Sequence, residues 1–469
     1  MQHQDPSALY SDSQLKYENL DENEESLEKN SKKPRLSKEI IDNNILVKSE
    51  LTEPAIDVKL NALPSWIISV TKKASKYISA DEKYEILDLY KKFPEVKSSY
   101  IILSKIGEGT FSTVYKAIDF NQHIYDNSKW KPLLFDQATE DSSQKPSESK
   151  FVALKKIYVT SSPKRIANEI SILKDLSNCS RVVPLLTAIR QRDQVVIVLP
   201  YISSDDFRTY YLNLSLEEIQ YYLQSMFEAL AYTHSKGIIH RDVKPSNFLY
   251  SVKQRKGVLV DFGLAEREDS QDTTRMNKSA INRMVPNLTP DLAARIYRSI
   301  NENGTPGVPR KDNRPSIRAN RAGTRGFRAP EVLFKKPHQT VSIDVWSAGV
   351  ILLCFLTKRF PFFQSTDDTE ALLEIAVLFG KVQMERLAFE LNRTFYSNVP
   401  TVKNRGIRFE ALIKTYSQDS WKNDPASSIK LPQAIDFLKK CLTLNPSNRI
   451  TSAEALVHPF LSQAIPKNE

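Results

Sequence analysis

The run His240-Arg241-Asp242-Val243-Lys244-Pro245-Ser246-Asn247 limits what this 469-residue chain can be more than any other feature, because Asp261-Phe262-Gly263 follows fourteen residues after Asn247. These residue types are the ones that in-line transfer of a phosphoryl group requires. A carboxylate must accept the proton of the attacking hydroxyl, and hard oxygen donors must hold a divalent cation that bridges the phosphates. Asp242 is the candidate base, Asn247 and Asp261 are the candidate metal ligands, and Lys244 is a cation beside the transferred group. Ahead of the run, Ile219, Leu223, Met226, Phe227 and Leu230 recur at helical spacing and predict an amphipathic helix over Glu217–His234.

Upstream lies a second set of residues suited to phosphate. Gly107-Glu108-Gly109-Thr110-Phe111-Ser112 falls between two predicted strands, Tyr100–Leu103 and Thr113–Tyr115, whereas a dinucleotide fingerprint leads from a strand into a helix. Its two glycines permit close backbone approach to phosphate oxygens, and Ser112 stands where a third would stiffen the pattern less. Forty-eight residues past Gly107, Val152-Ala153-Leu154-Lys155 places an amine in a third strand, within reach of a nucleotide's α/β-phosphates. Glu169, fourteen residues further on, falls in a helix predicted over Pro163–Leu176 with Ile166, Ile170 and Leu173 on one face, and can hold that amine. Taken singly, such a lysine and glutamate are ordinary surface ions. Val195–Leu199 reads as a buried strand.

A small sheet followed by a larger helical region predicts an α+β chain of two lobes. Residues 1–62, acidic and polar with few aromatics, read as a disordered tail. Within it, Lys32-Lys33-Pro34-Arg35 is either a minimal nuclear import signal or solvated charge. Residues 63–99 read as a helical extension, with Tyr84, Leu87 and Tyr90 at helical spacing and Pro94 as its stop. The smaller lobe spans 100–200 with an insertion at 121–150, and the larger spans 201–465. No apolar run reaches the roughly 18 residues of a membrane helix, and the longest, Val345–Leu356, suits a buried core helix. The N-terminus lacks the features of a secretory signal, so an intracellular protein is expected. Cys179, Cys354 and Cys441, lacking C-x-x-C spacing, read as buried small residues. A net charge of +10 hints at an acidic partner, but no nucleic-acid reader motif accompanies it.

The catalytic run, together with Ala329-Pro330-Glu331, Asp344-Val345-Trp346-Ser347-Ala348-Gly349 and Arg449, resembles the eukaryotic protein kinases over roughly residues 100–465. The resemblance implies their bilobal fold, with ATP and Mg²⁺ in the cleft. It implies a buried Glu331–Arg449 ion pair, and an Asp344 that anchors the catalytic loop. It places adenine between Ile106, Val114 and Ala153 above and Leu249 below, with Leu199 as gatekeeper and Pro200, Tyr201 and Ile202 as hinge. The phosphates then lie under Gly107 through Thr113. Lys244 and Thr324, placed as in hydroxyl-amino-acid kinases, imply serine or threonine as acceptor.

Between Asp261 and Glu331 the chain is too long for a structureless connection, so an insertion at about 267–321 is expected. From Arg267 to Arg328 there are 13 Lys/Arg and 6 Asp/Glu, 13 − 6 = +7, which suits either a solvated insert or a surface for acidic or phosphorylated substrates. That insert, the missing third glycine, Gly323-Thr324-Arg325-Gly326-Phe327-Arg328 before Ala329, and a second polar insertion at about 364–428 resemble the catalytic subunits of the DDK family. These are cell-division-cycle kinases that trigger replication origins. The resemblance implies a dedicated activating regulatory subunit, acidic or phosphorylated serine/threonine sites on the replicative MCM helicase, nuclear residence, and contact with nucleic acid only through chromatin partners. Arg325 and Arg328 are expected to read an acidic residue after the target serine. A casein-kinase-like enzyme or a pseudokinase scaffold is the alternative, although Lys155, Asp242, Asn247 and Asp261 are all present.

Overall fold

The computed structural model describes residues 65–121, 151–268 and 319–462. The expected tail 1–62 with its Lys32–Arg35 cluster, and nearly all of the insertions expected at 121–150 and 267–321, lie outside the described residues.

Five antiparallel strands build the smaller lobe: β1 (Tyr100–Glu108), β2 (Ser112–Asp119), β3 (Phe151–Ile157), β4 (Thr187–Gln191) and β5 (Gln194–Pro200), in the order β1-β2-β3-β5-β4. The predicted strands are present but longer. β1 runs on through Gly107 and Glu108, so that only Gly109, Thr110 and Phe111 turn, closed by Gly109 N–H donating to Ser112 O at 2.9 Å. Register sets Val114 opposite Lys155 and Ala153 opposite Leu199, lining up the phosphate-binding and adenine-side candidates on neighbouring strands.

Three helices precede the sheet: α1 (Ser65–Ser75), α2 (Ala80–Lys92) and α3 (Pro94–Ser99). The apolar stripe of α2 shares only Tyr90 with the predicted one. Tyr84 is 75% and Leu87 42% exposed, whereas Ile86, Leu89 and Tyr90 are buried in a cluster with Tyr115, Val152, Leu154 and Val196 of the sheet. Both stripes satisfy helical spacing, and only the direction of approach to the sheet selects between them. Pro94 stops α2 as expected, but a new short helix begins at it. Phe93 N–H closes α2 on Leu89 O, and Pro94 opens α3 at a position where its missing N–H costs nothing. Helix α4 (Pro163–Asp175) starts at Ser162, whose hydroxyl accepts from Arg165 N, and buries Ile166, Ile172 and Leu173.

In the larger lobe α5 (Phe207–Tyr210) is followed by α6 (Leu216–Ser235), which begins with a reciprocal Ser215/Glu218 cap and fully buries all five predicted apolar residues. Helix Ser342–Thr357 contains the longest apolar run and is buried along almost its whole length, as a core helix should be. Gly349 allows this: a Cβ there would come 2.8 Å from Cys441 Cβ and Leu442 Cδ2, too close for helix Ser427–Cys441 to pack as it does. The polar stretch 364–428 folds into helices Asp368–Phe379, Lys381–Glu390 and Phe409–Lys422, which bury Ala371, Ile375, Met384, Leu387 and Trp421. The three cysteines are free and buried. Among the described residues no helix is long and apolar enough to cross a membrane.

Candidate active site

Two short antiparallel ladders carry the catalytic run between the lobes. Strand β6 (Ile238–Ile239) delivers His240 through Lys244, a 3₁₀ turn holds Pro245–Asn247, and β7 (Phe248–Ser251) pairs with β8 (Lys256–Leu259) to return the chain to Asp261. Beyond it β9 (Glu266–Arg267) pairs back onto β6. Arg241 and Asp261 both adopt positive φ, at 71° and 63°, a region that costs a non-glycine residue about 1–3 kcal/mol. Buried hydrogen bonds hold the first of these in place. Asp344 Oδ2 accepts from His240 N (2.8 Å) and Oδ1 from Arg241 N (2.8 Å), while His234 Nε2 lies 3.0 Å from Oδ2. The expected anchoring of the loop by Asp344 is thus what the structure shows.

Lys155 on β3 extends its Nζ to 2.6 Å from both Glu169 Oε1 of α4 and Asp261 Oδ1. Burial alone would lower the lysine's pKa, but the two carboxylates overcome it and hold the ammonium above the usual lysine range. Burial would likewise raise the Asp261 carboxyl, and Lys155 instead draws it down to about 2. Lys155 and Asp261 are therefore both charged at neutral pH.

Asp242 is the hub of a second cluster. Its Oδ1 accepts from Thr324 N (2.8 Å) and Thr324 Oγ1 (2.7 Å); its Oδ2 accepts from Lys244 Nζ (2.8 Å) and Asn247 Nδ2 (3.0 Å). Lys244 Nζ also donates to Thr324 Oγ1 at 2.8 Å, so the lysine and threonine expected to mark a hydroxyl-amino-acid acceptor touch each other across 80 residues. Burial opposes ionisation of Asp242, but Lys244 and Thr324 outweigh it and keep the carboxyl below its ordinary range.

A cleft of about 490 Å³ joins the two clusters, lined by the loop tip Gly109–Ser112, by Lys155 and Glu169, and by Asp242, Lys244 and Asp261. This is the phosphate end of the predicted site. Of the other candidates, Ile106, Gly107 and Glu108 on β1, Thr113 and Val114 on β2, Ala153 on β3, Leu199 and Pro200 on β5, Tyr201 and Ile202 just after it, and Leu249 on β7 lie outside that lining. Asn247 also lies behind it, buried against Asp242. The expected ion pair closes the lower lobe: Arg449 Nη1 and Nη2 meet Glu331 Oε1 and Oε2 at 2.7 and 3.0 Å, with both side chains inaccessible to water.

Several residues that shape the site escaped the sequence reading. Arg165 donates from Nε to Gly263 O (2.6 Å) while its guanidinium lies 3.6 Å over the Phe111 ring, tying α4, the loop tip and the Asp261-Phe262-Gly263 segment together. Arg241 Nη2 meets Glu266 Oε2 at 2.7 Å. Asp368 gathers three arginines, with Arg321 Nη1 at 2.7 Å, Arg328 Nη1 at 2.8 Å and Arg325 Nε at 3.7 Å. Such contacts join residues tens to about a hundred positions apart and leave no local pattern, although Asp367-Asp368 opening a helix was a visible cue.

Two lobes, a glycine-bearing hairpin over a Lys–Glu–Asp trio, and a carboxylate held beside a lysine and a threonine define a protein kinase. The protein kinase domain pattern matches residues 137–290 and 307–461, and the chain belongs to that family. It is similar to cell-cycle members: it is 44% identical over 400 residues to the cell cycle serine/threonine-protein kinase hsk1 of Schizosaccharomyces pombe, covering 82% of this chain and 76% of that one. The cell cycle protein kinase spo4 of the same organism is 39% identical over 394 residues, covering 82% and 90%. The human cell division cycle 7-related protein kinase is 28% identical over 568 residues, covering 84% and 94%. The chain is accordingly a serine/threonine kinase of the cell division cycle 7 type.

Proposed function

We propose that this kinase transfers the γ-phosphate of ATP, with Mg²⁺, to serine or threonine in acidic contexts, and acts with a regulatory subunit on the MCM helicase in the nucleus. Asp242 takes the role of base, and Lys244 balances charge on the transferred group. Asn247 and Asp261 fit a hard cation, because one offers an amide oxygen and the other a carboxylate drawn down to about 2 and hence ionised. Bound there, Mg²⁺ would neutralise phosphate charge.

The observation that carries the acidic preference is the arrangement around Asp368. Three guanidiniums converge on Asp368 close to Thr324 and so close to the base, with Glu370 of the same helix turn also facing Arg325. Arg328 is the least suited of the three to read a substrate, since it is 17% exposed and also donates to Gly323 O. Arg325 at 39% and Arg321 at 50% exposure are better placed. Replacing Arg325 by Glu is expected to lower kcat/KM on peptides with an acid after the target serine by about tenfold or more, and on neutral peptides far less. Equal losses on both peptide sets would remove the idea.

In this reading the regulatory subunit maintains an arrangement that the single chain already makes. Lys155 and Glu169 are already paired in the single chain, so a partner would hold α4 in this position and not create it. Purified alone, the chain should turn over acidic peptides several-fold more slowly than with its stoichiometric companion; full turnover without one would contradict a need for it.

A further inference from the structure

Strand β1 is bulged twice against β2. Leu103 and Ile106 are each passed over in the register, which shifts between Ile102 and Ser104 and again between Lys105 and Gly107. A bulge interrupts the ladder and re-aims the strand beyond it, and the strand beyond is the glycine-rich loop. Backbone groups beside both bulges are satisfied from α2. Ile102 N–H donates to Tyr90 Oη at 2.8 Å, Tyr90 Oη–H donates to Tyr100 O at 3.2 Å, and Lys105 N–H donates to Glu82 Oε1.

Glu82 is diverted to make that bond. It stands three residues after the cap Ser79, where a glutamate ordinarily reaches back to the cap N–H. Glu218 does so in α6, accepting from Ser215 N at 2.8 Å, and Glu454 does so in helix Ser452–Leu456, accepting from Thr451 N at 2.8 Å. In α2 only the Ser79 half of the exchange is made. The chain of contacts continues toward the loop: Lys105 Nζ lies 3.1 Å from Glu85 Oε2 and 2.8 Å from Glu108 Oε2, and Glu85 also accepts from Tyr115 Oη at 3.2 Å. Glu108 sits between the two glycines.

We propose that α2 is a register clamp for the nucleotide loop, in which Glu82 and Tyr90 fix the bulges of β1 and Glu85, Lys105 and Glu108 pass that position to Gly107 and Gly109. These are positioning residues for the nucleotide, and the inference rests on the ATP reading above. The test uses the full chain with its companion, measuring KM for ATP, KM for peptide, kcat, and affinity for a fluorescent ATP analogue.

Glu82→Ala should raise the ATP KM and weaken analogue binding about five- to tenfold, the size of a typical net hydrogen bond, with peptide KM unmoved. Glu82→Gln keeps an acceptor oxygen and should stay near wild type. Lys105→Met leaves the backbone N–H in place but cuts the link to Glu108, and it should move the same two readouts. Should Glu82→Ala not fold, Lys105→Met carries the test by itself. Unchanged ATP KM and analogue affinity in the foldable variants, or Glu82→Gln as impaired as Glu82→Ala, would overturn the clamp. Failure of the unaltered chain to bind the analogue would instead remove the ATP reading.

Discussion

Asp242→Asn is expected to leave ATP affinity near the wild-type value while lowering kcat by about 10²–10⁴-fold, the usual contribution of a positioned base. Asparagine matches aspartate in size and can still accept from Thr324, whose N–H and hydroxyl both reach Oδ1 in the structure. It cannot take the acceptor's proton. It also leaves Lys244 without the counter-charge now 2.8 Å away. Steady-state kinetics on an acidic serine peptide, with thermal melting as a control for folding, would check this. Residual kcat within tenfold of wild type in a folded sample would remove Asp242 from the chemistry.

Arg449→Ala should destabilise the larger lobe by about 3–5 kcal/mol, the range found when one partner of a buried ion pair is removed. Its guanidinium makes two bonds to Glu331 and also donates to Thr443 O (2.9 Å), Ser342 O (2.8 Å) and Leu444 O (3.2 Å), so truncation strands an interior carboxylate and three carbonyls. Replacing Glu331 by Leu and Arg449 by Met together should recover part of the loss, since a buried pair exchanged for apolar side chains is often neutral. Urea denaturation would read both. A single variant within about 1 kcal/mol of wild type would show that the pair contributes little.

The chemistry was legible in the sequence because it is written in short, spaced runs. Asp242, Lys244, Asn247 and Asp261 share one loop and hairpin, and Lys155 and Glu169 lie fourteen residues apart on a strand and the helix after it. Helix α6 was legible for a different reason: its apolar period is unbroken, so all five marked residues are buried. What could not be read was orientation. Tyr84 and Leu87 form as good a stripe on paper as Ile86 and Leu89, and nothing local says which one meets the sheet. Long-range polar contacts were equally silent, since Arg165 reaches Gly263 and Arg241 reaches Glu266 through the fold alone. The polarity of 364–428 suggested an appendage, yet scattered apolar residues such as Ile375, Met384 and Trp421 suffice to bury three helices.

The Glu331–Arg449 pair also sets an order of events during synthesis. The carboxylate emerges from the ribosome 118 residues before the cation that neutralises it, so for roughly 6–24 s of elongation, at about 5–20 residues per second, it must remain hydrated or be buried alone. The lower lobe therefore cannot settle around its central helix until the last stretch of the described chain has been made. Throughout that interval the apolar surface of the unfinished core stays open to water and to association with other chains.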